Sequence, residues 1–164
     1  MAQQCSSVDS MNFLNPTNFR FVLNRAPGVM YTVQSITLPS MSLPSAPAFT
    51  PFTKLPNPGD HIDFMPMSMT YKVNENMDNW FEIYNWMTAL GSPRNFEEYS
   101  SEDSEPDGTL LILDSNNNVS TEVYFYNMYP MELGPIQFNV QAAEVEYAEG
   151  QVEFIYSTYK AVKV

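Results

Sequence analysis

The sequence predicts a mainly β fold, a β-sandwich or partial barrel of about seven strands with one flanking α-helix. Two observations carry this prediction. Several segments alternate apolar and polar residues as half-buried strands do, and only one segment spaces its apolar residues as a helix does. The length of 164 residues predicts a single domain, residues 1–164.

A short Ala-Pro-Gly turn signal separates the first two predicted strands, residues 18–25 and 29–36. In the first strand Phe19, Phe21 and Leu23 alternate with polar residues. In the second, β-branched and aromatic residues are frequent, as they are in strands. The pattern predicts that the two strands form a hairpin.

Residues 39–59 form a proline-rich segment. Proline lacks an amide donor and fixes φ, so we expect a long extended loop without regular sheet. A loop of this length in a compact domain usually has a function, and large apolar side chains in it need a partner surface. We expect three such side chains to contact a neighbouring subunit. They are Phe49, Phe52 and Leu55.

The one predicted helix covers residues 76–90 and follows a predicted strand, residues 62–73. Asn76 is a plausible N-cap, and Gly91 followed by Pro93 marks the end of the helix. The helix is expected to pack on a sheet through an apolar stripe. The residues of this stripe are Trp80, Ile83, Tyr84, Met87 and Leu90.

The remaining strands are predicted in the second half of the chain. Residues 109–113 and 120–126 are apolar and aromatic, and residues 114–118 between them are turn formers, which predicts a second hairpin. Residues 136–141 alternate cleanly, and residues 152–157 are the last predicted strand.

No set of residues in the sequence predicts catalysis, a cofactor site or a metal site. His61 is the only histidine and Cys5 the only cysteine, so neither a Cys/His zinc site nor an internal disulfide can form. Residues 103–114 match a calcium-binding loop weakly, but Pro106 lies inside the loop and a predicted strand follows it. An exposed acidic loop is the simpler interpretation.

The formal net charge of −12 excludes several partners. A chain of that sign repels phosphate backbones and anionic membranes. No apolar run approaches the roughly 18 residues needed to cross a bilayer. We therefore expect no membrane partner and no adhesive contact with DNA.

The segment from the third strand into the helix resembles the tail tube proteins of contractile-tailed, T4-like bacteriophages. The resemblance lies in residues 65–80, with their Met-rich strand and acidic-amide turn, and in residues 83–87, Ile-Tyr-Asn-Trp-Met. Supporting similarity occurs in residues 18–21, 35–39, 126–130 and 152–159. The order and spacing of these elements carry the similarity over most of the chain.

The resemblance implies a structural virion protein and not an enzyme. It implies that six copies form a ring whose inner strands close a continuous barrel, and that rings stack into a tube through which DNA passes without specific binding. Tail sheath and baseplate proteins are the further partners expected. The location implied is the tail of the virion, after synthesis and assembly in the host cytoplasm.

Alternation also predicts a surface that lines the channel. In residues 136–141 the polar side chains share one face of the strand, and a bulge at residues 142–143 would bring two glutamates onto the same side. The expected lumen-facing residues are Gln137, Asn139, Gln141, Glu144 and Glu146.

Two alternatives stay open from the sequence alone. The baseplate proteins that initiate the tube share the same core, so a tube initiator is the first. A sugar-binding β-sandwich for host recognition is the second, because tyrosine and tryptophan rings also stack on sugars.

Overall fold

A computed structural model describes residues 13–49, 52–91, 107–138 and 147–164. The described residues form strands in open antiparallel sheets and one helix, which confirms the mainly β sandwich class. The strands are β1 (Phe19–Leu23), β2 (Val33–Ile36), β3 (Met41–Ser42), β4 (Ser45–Phe49), β5 (Lys54–Pro58), β6 (Asp63–Phe64), β7 (Met67–Lys72), β8 (Gly108–Leu113), β9 (Val119–Tyr126), β10 (Tyr129–Leu133), β11 (Glu149–Ile155) and β12 (Thr158–Lys163); the helix is α1 (Asp78–Gly91).

Two four-stranded sheets make the body of the described chain. The first sheet has the order β1-β8-β9-β12, and the second has the order β10-β11-β7-β2. Their inward faces and helix α1 supply one apolar core. Its largest fully buried apolar side chains are Tyr71, Phe21, Phe125, Phe154, Leu23, Met67, Met69, Ile83, Val29, Val123 and Val152.

The centre of the second sheet follows the alternation that the sequence predicts. Met67, Met69 and Tyr71 of β7 are fully buried, while the residues between them face outward. Burying each such side chain stabilises the fold by about 1.5 to 3 kcal/mol. On β11, Gly150 lies opposite Tyr71, and a Cβ there would come within 2.6 Å of the Tyr71 ring. Glycine at this position therefore makes room for the ring.

The predicted first hairpin is wrong. Strand β1 pairs with β8 in the first sheet, and β2 pairs with β7 in the second. The turns between them cross from one sheet to the other, and Ala26 and Val29 in that crossing are buried. Local alternation identifies strands, but it does not fix which sheet each strand joins.

The predicted second hairpin is confirmed. Strands β8 and β9 pair directly through the turn at residues 114–118. The Asp114 carboxylate accepts the backbone N–H groups of Asn116 (2.7 Å) and Asn118 (2.9 Å). Asn117 adopts a φ of 62°, which asparagine tolerates in turns. Here the turn residues alone specify the pairing.

Helix α1 is confirmed within two residues of its predicted start, but its buried stripe differs. Asn79, Ile83 and Trp86 are its buried residues, whereas Tyr84 and Leu90 are exposed. The Met77 carbonyl accepts the first helical N–H, from Phe81, so Met77 and not Asn76 stands at the cap position. The predicted stripe is right for Ile83, which is buried, and for Met87, which packs against the core, and it is wrong for Tyr84 and Leu90.

The predicted strand at residues 136–141 is wrong over its described part. Residues 136–138 have no regular structure, and Phe138, expected in the core, is 80% exposed. Residues 139–141 lie outside the described residues. The strand in this part of the chain is instead β10, in which Pro130 and a register shift before Glu132 interrupt the alternation that would have predicted it.

The predicted absence of sheet from residues 39–59 is also wrong. Strands β4 and β5 form a two-stranded hairpin in which Pro47 lies opposite Pro56. Strand β3 pairs separately with β6. The register of the hairpin accommodates these prolines, because it places Pro47 and Pro56 in a pair without ladder hydrogen bonds.

Candidate assembly surfaces

The β4–β5 hairpin carries the three side chains predicted for the subunit interface. Phe49 is 75% exposed, Phe52 98% and Leu55 49%. Nearly all residues of both strands are exposed. The predicted interface residues are therefore accessible on one projecting element, which is compatible with the predicted contact to a neighbouring subunit.

The three side chains do not share one face of the hairpin. Phe49 pairs with Lys54, and Leu55 pairs with Ala48, the next pair along the ladder. Successive pairs point to opposite faces, so Phe49 and Leu55 point in opposite directions. The Lys54 ammonium lies 5.6 Å from the centre of the Phe49 ring, as expected for a pair on the same face.

The hairpin prolines lie at positions that spare the ladder between the two strands. The Gly59 N–H donates to the Pro44 carbonyl at 2.7 Å, which makes residues 44 and 59 a hydrogen-bonded pair. Because bonded and non-bonded pairs alternate, Pro47, Pro56 and Pro58 fall in non-bonded pairs. Their nitrogens face the outer edges of the hairpin. The prolines thus remove donors from those edges only.

Helix α1 exposes a second aromatic surface, formed by Trp80, Phe81 and Tyr84; we call it the helix aromatic cluster. The Trp80 and Tyr84 rings stack at 5.2 Å with an interplanar angle of 12°. Phe81 meets Trp80 edge to face at 5.3 Å and is 46% exposed. The sequence prediction placed Trp80 and Tyr84 on the buried stripe and included no such surface. The signal was present, since a helix with apolar residues on several faces must cover more than one of them.

Asn79 fixes the start of the helix that carries this cluster. Its side-chain amide donates to the Lys72 carbonyl (2.8 Å) and to the Thr32 hydroxyl (3.0 Å), and its oxygen accepts the Asn74 N–H (3.2 Å). It is completely buried. A buried amide with these three bonds is well satisfied and ties the end of β7 to both the helix and the turn before β2.

The outward faces of the two sheets differ in chemistry. The second sheet presents mostly hydroxyl, amide and charged side chains, with one aromatic and one aliphatic side chain at the end of the β10–β11 pair: Ser35, Ser68, Thr70, Lys72, Glu132, Glu149, Gln151 and Glu153, and at that end Tyr129 and Ile155. The first sheet presents apolar and tyrosine side chains with two cations and one carboxylate: Arg20, Val22, Thr109, Leu111, Glu122, Tyr124, Tyr126, Lys160 and Val162.

Two carboxylates stand directly opposite each other on the second sheet. Glu132 of β10 pairs with Glu153 of β11. Like charges at this spacing destabilise a sheet. The pair is a local cost in stability, and it places two negative charges side by side on this face.

Of the residues predicted to face a lumen, the structure describes Gln137 alone. Gln137 is exposed in a segment without regular structure, next to Ile136, which is half-buried. Asn139, Gln141, Glu144 and Glu146 lie outside the described residues. The regular strand that would place these side chains on one face is absent from residues 136–138.

The ionisable groups of the described chain form no reactive constellation. His61 lies 3.7 Å from the Asp63 carboxylate, and both side chains are largely exposed. Among the described residues, no group of three His, Cys, Asp or Glu side chains is placed to hold a metal ion. The one helix in that part of the chain is too short to cross a membrane.

Three tyrosines have raised pKa values. Burial raises the pKa of the Tyr71 phenol to about 12, and burial also raises that of Tyr156 to about 12. The Tyr156 hydroxyl donates to the Met65 carbonyl at 2.7 Å. A hydrogen bond to Glu122 raises the pKa of Tyr124 on the first sheet. All three phenols therefore stay neutral near pH 7.

Comparison with known proteins relates the chain to components of contractile tails. No protein-family model matches the chain. A tail tube terminator protein of Enterobacteria phage T4 is 25% identical over 158 residues, which covers 87% of this chain and 90% of that protein. The predicted resemblance to the tail tube proteins of contractile-tailed phages is confirmed.

Solved structures of contractile systems share the fold. The tube-terminating cap of the anti-feeding prophage superposes with a TM-score of 0.67 at 12% identity and covers all of both chains. The sheath/tube terminator of the PVC extracellular contractile injection system gives 0.63 at 10% identity, over 93% of this chain and 99% of that one. The PVC sheath–tube complex in the extended state gives 0.61 at 10% identity, with 94% of each chain covered.

Proposed function

We propose that this chain is a structural, non-enzymatic protein of a contractile tail, and that it forms the ring that terminates the tail tube. The observation that carries the proposal is the similarity to the T4 tail tube terminator over nearly the whole of both chains. The sequence alone predicts a tube subunit, with a baseplate initiator as one alternative. The named relative favours the terminator over both, whereas the fold is common to tubes and terminators alike.

The proposed location is the tail of the virion, and the proposed partners are further copies of this chain, the tail tube and the sheath. Assembly in the host cytoplasm stays an expectation. A ring of β-sandwich subunits has a physical advantage, because each open sheet has edge strands with unpaired main-chain groups. Closing a ring covers edges that are an aggregation hazard on a monomer.

We assign the channel wall of the ring to the outward face of the second sheet. That face has no exposed apolar side chain along its centre, where Ser68, Thr70, Gln151 and Glu153 lie. Glu132 and Glu153 add negative charge that repels phosphates. The first sheet is less suited, because its outward face carries two cations, Arg20 and Lys160, against one carboxylate, and cations attract a DNA backbone. The second sheet carries one cation, Lys72, against three carboxylates.

Electron microscopy of the purified protein, with and without tubes of its cognate tube protein, tests the role. A terminator should form rings that do not stack and should bind tube ends, where a gold label on the chain marks it. Long tubes made from this chain alone would refute the terminator role and favour a tube subunit. Monomers that bind no tube at micromolar concentration would refute both roles.

A further inference from the structure

Two exposed aromatic surfaces of the described chain do not meet within one molecule. Phe49 on the β4–β5 hairpin is 75% exposed, and Phe81 in the helix aromatic cluster is 46% exposed. We propose that they meet between molecules: the Phe49 face of the hairpin docks on the helix aromatic cluster of the next copy in the same ring. This inference rests on the proposed function, since it requires a ring.

The charges beside the two surfaces are complementary. On the hairpin, the Lys54 ammonium lies beside the Phe49 ring. On the helix, Asp78 is exposed in the first turn and precedes Phe81 by three residues, which places the two side chains as neighbours on the helix surface. Helix α1 contains two carboxylates and no basic residue. An aromatic and cationic face thus matches an aromatic and acidic one.

The hairpin is suited to dock by side chains rather than by sheet extension. On the outer edge of β5, Pro56 and Pro58 lack the N–H group that a new strand would need, and on β4 Pro47 lacks it at the central position. Added strands are therefore disfavoured at both edges. With main-chain pairing disfavoured at the edges, the hairpin face that carries Phe49, Pro47, Pro56 and Pro58 is the apolar surface available for contact.

A second copy of this chain is the occupant that the geometry favours. Every copy carries both surfaces, and the two surfaces differ, so the contact is head-to-tail. Head-to-tail contacts leave no surface unmatched when the rotation between subunits closes a ring. A terminator that forms one ring and does not stack needs such a contact within the ring.

Disulfide trapping tests the proximity directly. In a Cys5→Ser background, Lys54→Cys combined with Asp78→Cys should give, on mild oxidation of assembled rings, a ladder of covalent oligomers that ends at the ring size. Lys54→Cys combined with Lys160→Cys is the matched control, because Lys160 is exposed on the first sheet, away from α1. Rings without a ladder from the first pair would overturn the docking and leave the proposed function standing. The absence of rings of the unmodified protein, both free and on tube ends, would overturn both.

Substitutions test which hairpin face is used. Phe49→Ala should weaken ring assembly by roughly ten- to hundredfold, the range expected for one buried phenylalanine. Leu55→Ala, on the opposite face, should change it by less than about threefold. Because both positions are exposed, circular dichroism should show an unchanged fold for both variants. An equal effect of the two substitutions would overturn the assignment of the Phe49 face.

A charge swap tests the ionic part of the contact. Lys54→Asp and Asp78→Lys should each weaken assembly by about two- to fivefold, as expected for an exposed ion pair, and the double variant should recover it. Because Asp78→Lys also opposes the helix dipole, the melting temperature of each monomer is the control for a change in stability. Additive losses without recovery would contradict the pairing.

Discussion

Replacing Asn79 should destabilise the fold and disturb the helix aromatic cluster that follows it. Its side chain makes three hydrogen bonds in a site with no solvent exposure, to Lys72, Thr32 and Asn74. At about 1 kcal/mol for each bond, Asn79→Ala should lower the free energy of unfolding by about 3 kcal/mol. Asn79→Asp should cost more, because a carboxylate oxygen would then face the Lys72 carbonyl.

Urea unfolding of the monomer, followed by tryptophan fluorescence, measures this loss as a shift in the transition midpoint at constant slope. Asn85→Ala is the matched control, because Asn85 is exposed on the same helix and alanine has the better helix propensity. The control should change stability by less than about 0.5 kcal/mol. A loss below about 1 kcal/mol for Asn79→Ala would show that the three bonds do not hold the helix start as argued.

Three further predictions concern the second sheet and its surroundings. Gly150→Ala should destabilise the monomer by about 1 to 3 kcal/mol, because the new Cβ overlaps the buried Tyr71 ring; an unchanged melting temperature would contradict this. The raised pKa values of Tyr71 and Tyr156, each about 12, mean that their contribution to stability is complete below the unfolded value near pH 10 and is lost as the pH rises from about 10 to 12. Urea midpoints at pH 9 and pH 11.5 measure this loss, which Tyr71→Phe should reduce. Finally, Glu132→Lys with Glu153→Lys should make rings bind linear duplex DNA with a salt-dependent affinity and closed circular DNA much less; equal binding of both forms would place this face outside the channel.

The sequence predicts a strand or a hairpin correctly where residues close in sequence determine it. Strand β7, with its buried methionines, and the hairpin closed by Asp114 are both specified by local chemistry, alternation in the first case and turn formation in the second. The pairing of β1 with β8 joins residues about 90 positions apart, and no local pattern encodes it. Which distant strands pair is determined by how all the apolar faces pack together in the core.

Prolines and a buried asparagine account for the remaining differences between the predicted and the observed structure. The rule that proline excludes sheet failed at β4 and β5 because the rule applies to hydrogen-bonded positions, and Pro47 and Pro56 avoid them. On the helix, the polar residue Asn79 lies in the core with its hydrogen bonds satisfied, whereas Tyr84 and Leu90 of the predicted stripe are exposed. For the candidate interface, the large apolar side chains of the proline-rich segment identified Phe49, Phe52 and Leu55, but only the register separates the face of Phe49 from that of Leu55.

The sheets have two kinds of edge: some have free main-chain donors and acceptors, and others have prolines in their place. The difference affects how copies of the chain can associate. On β12, the Val164 N–H donates to the Ser120 carbonyl at 3.1 Å, so by alternation the main-chain groups of Tyr159, Ala161 and Lys163 face away from β9. That edge offers complete donor and acceptor pairs to another strand. The β4–β5 hairpin offers few, because prolines occupy half of its six outward positions. Association through main-chain pairing is therefore expected at the edges of the two large sheets, and association through side chains at the hairpin. A ring that uses both kinds of contact covers the open sheet edges while the hairpin sets the direction from each copy to the next.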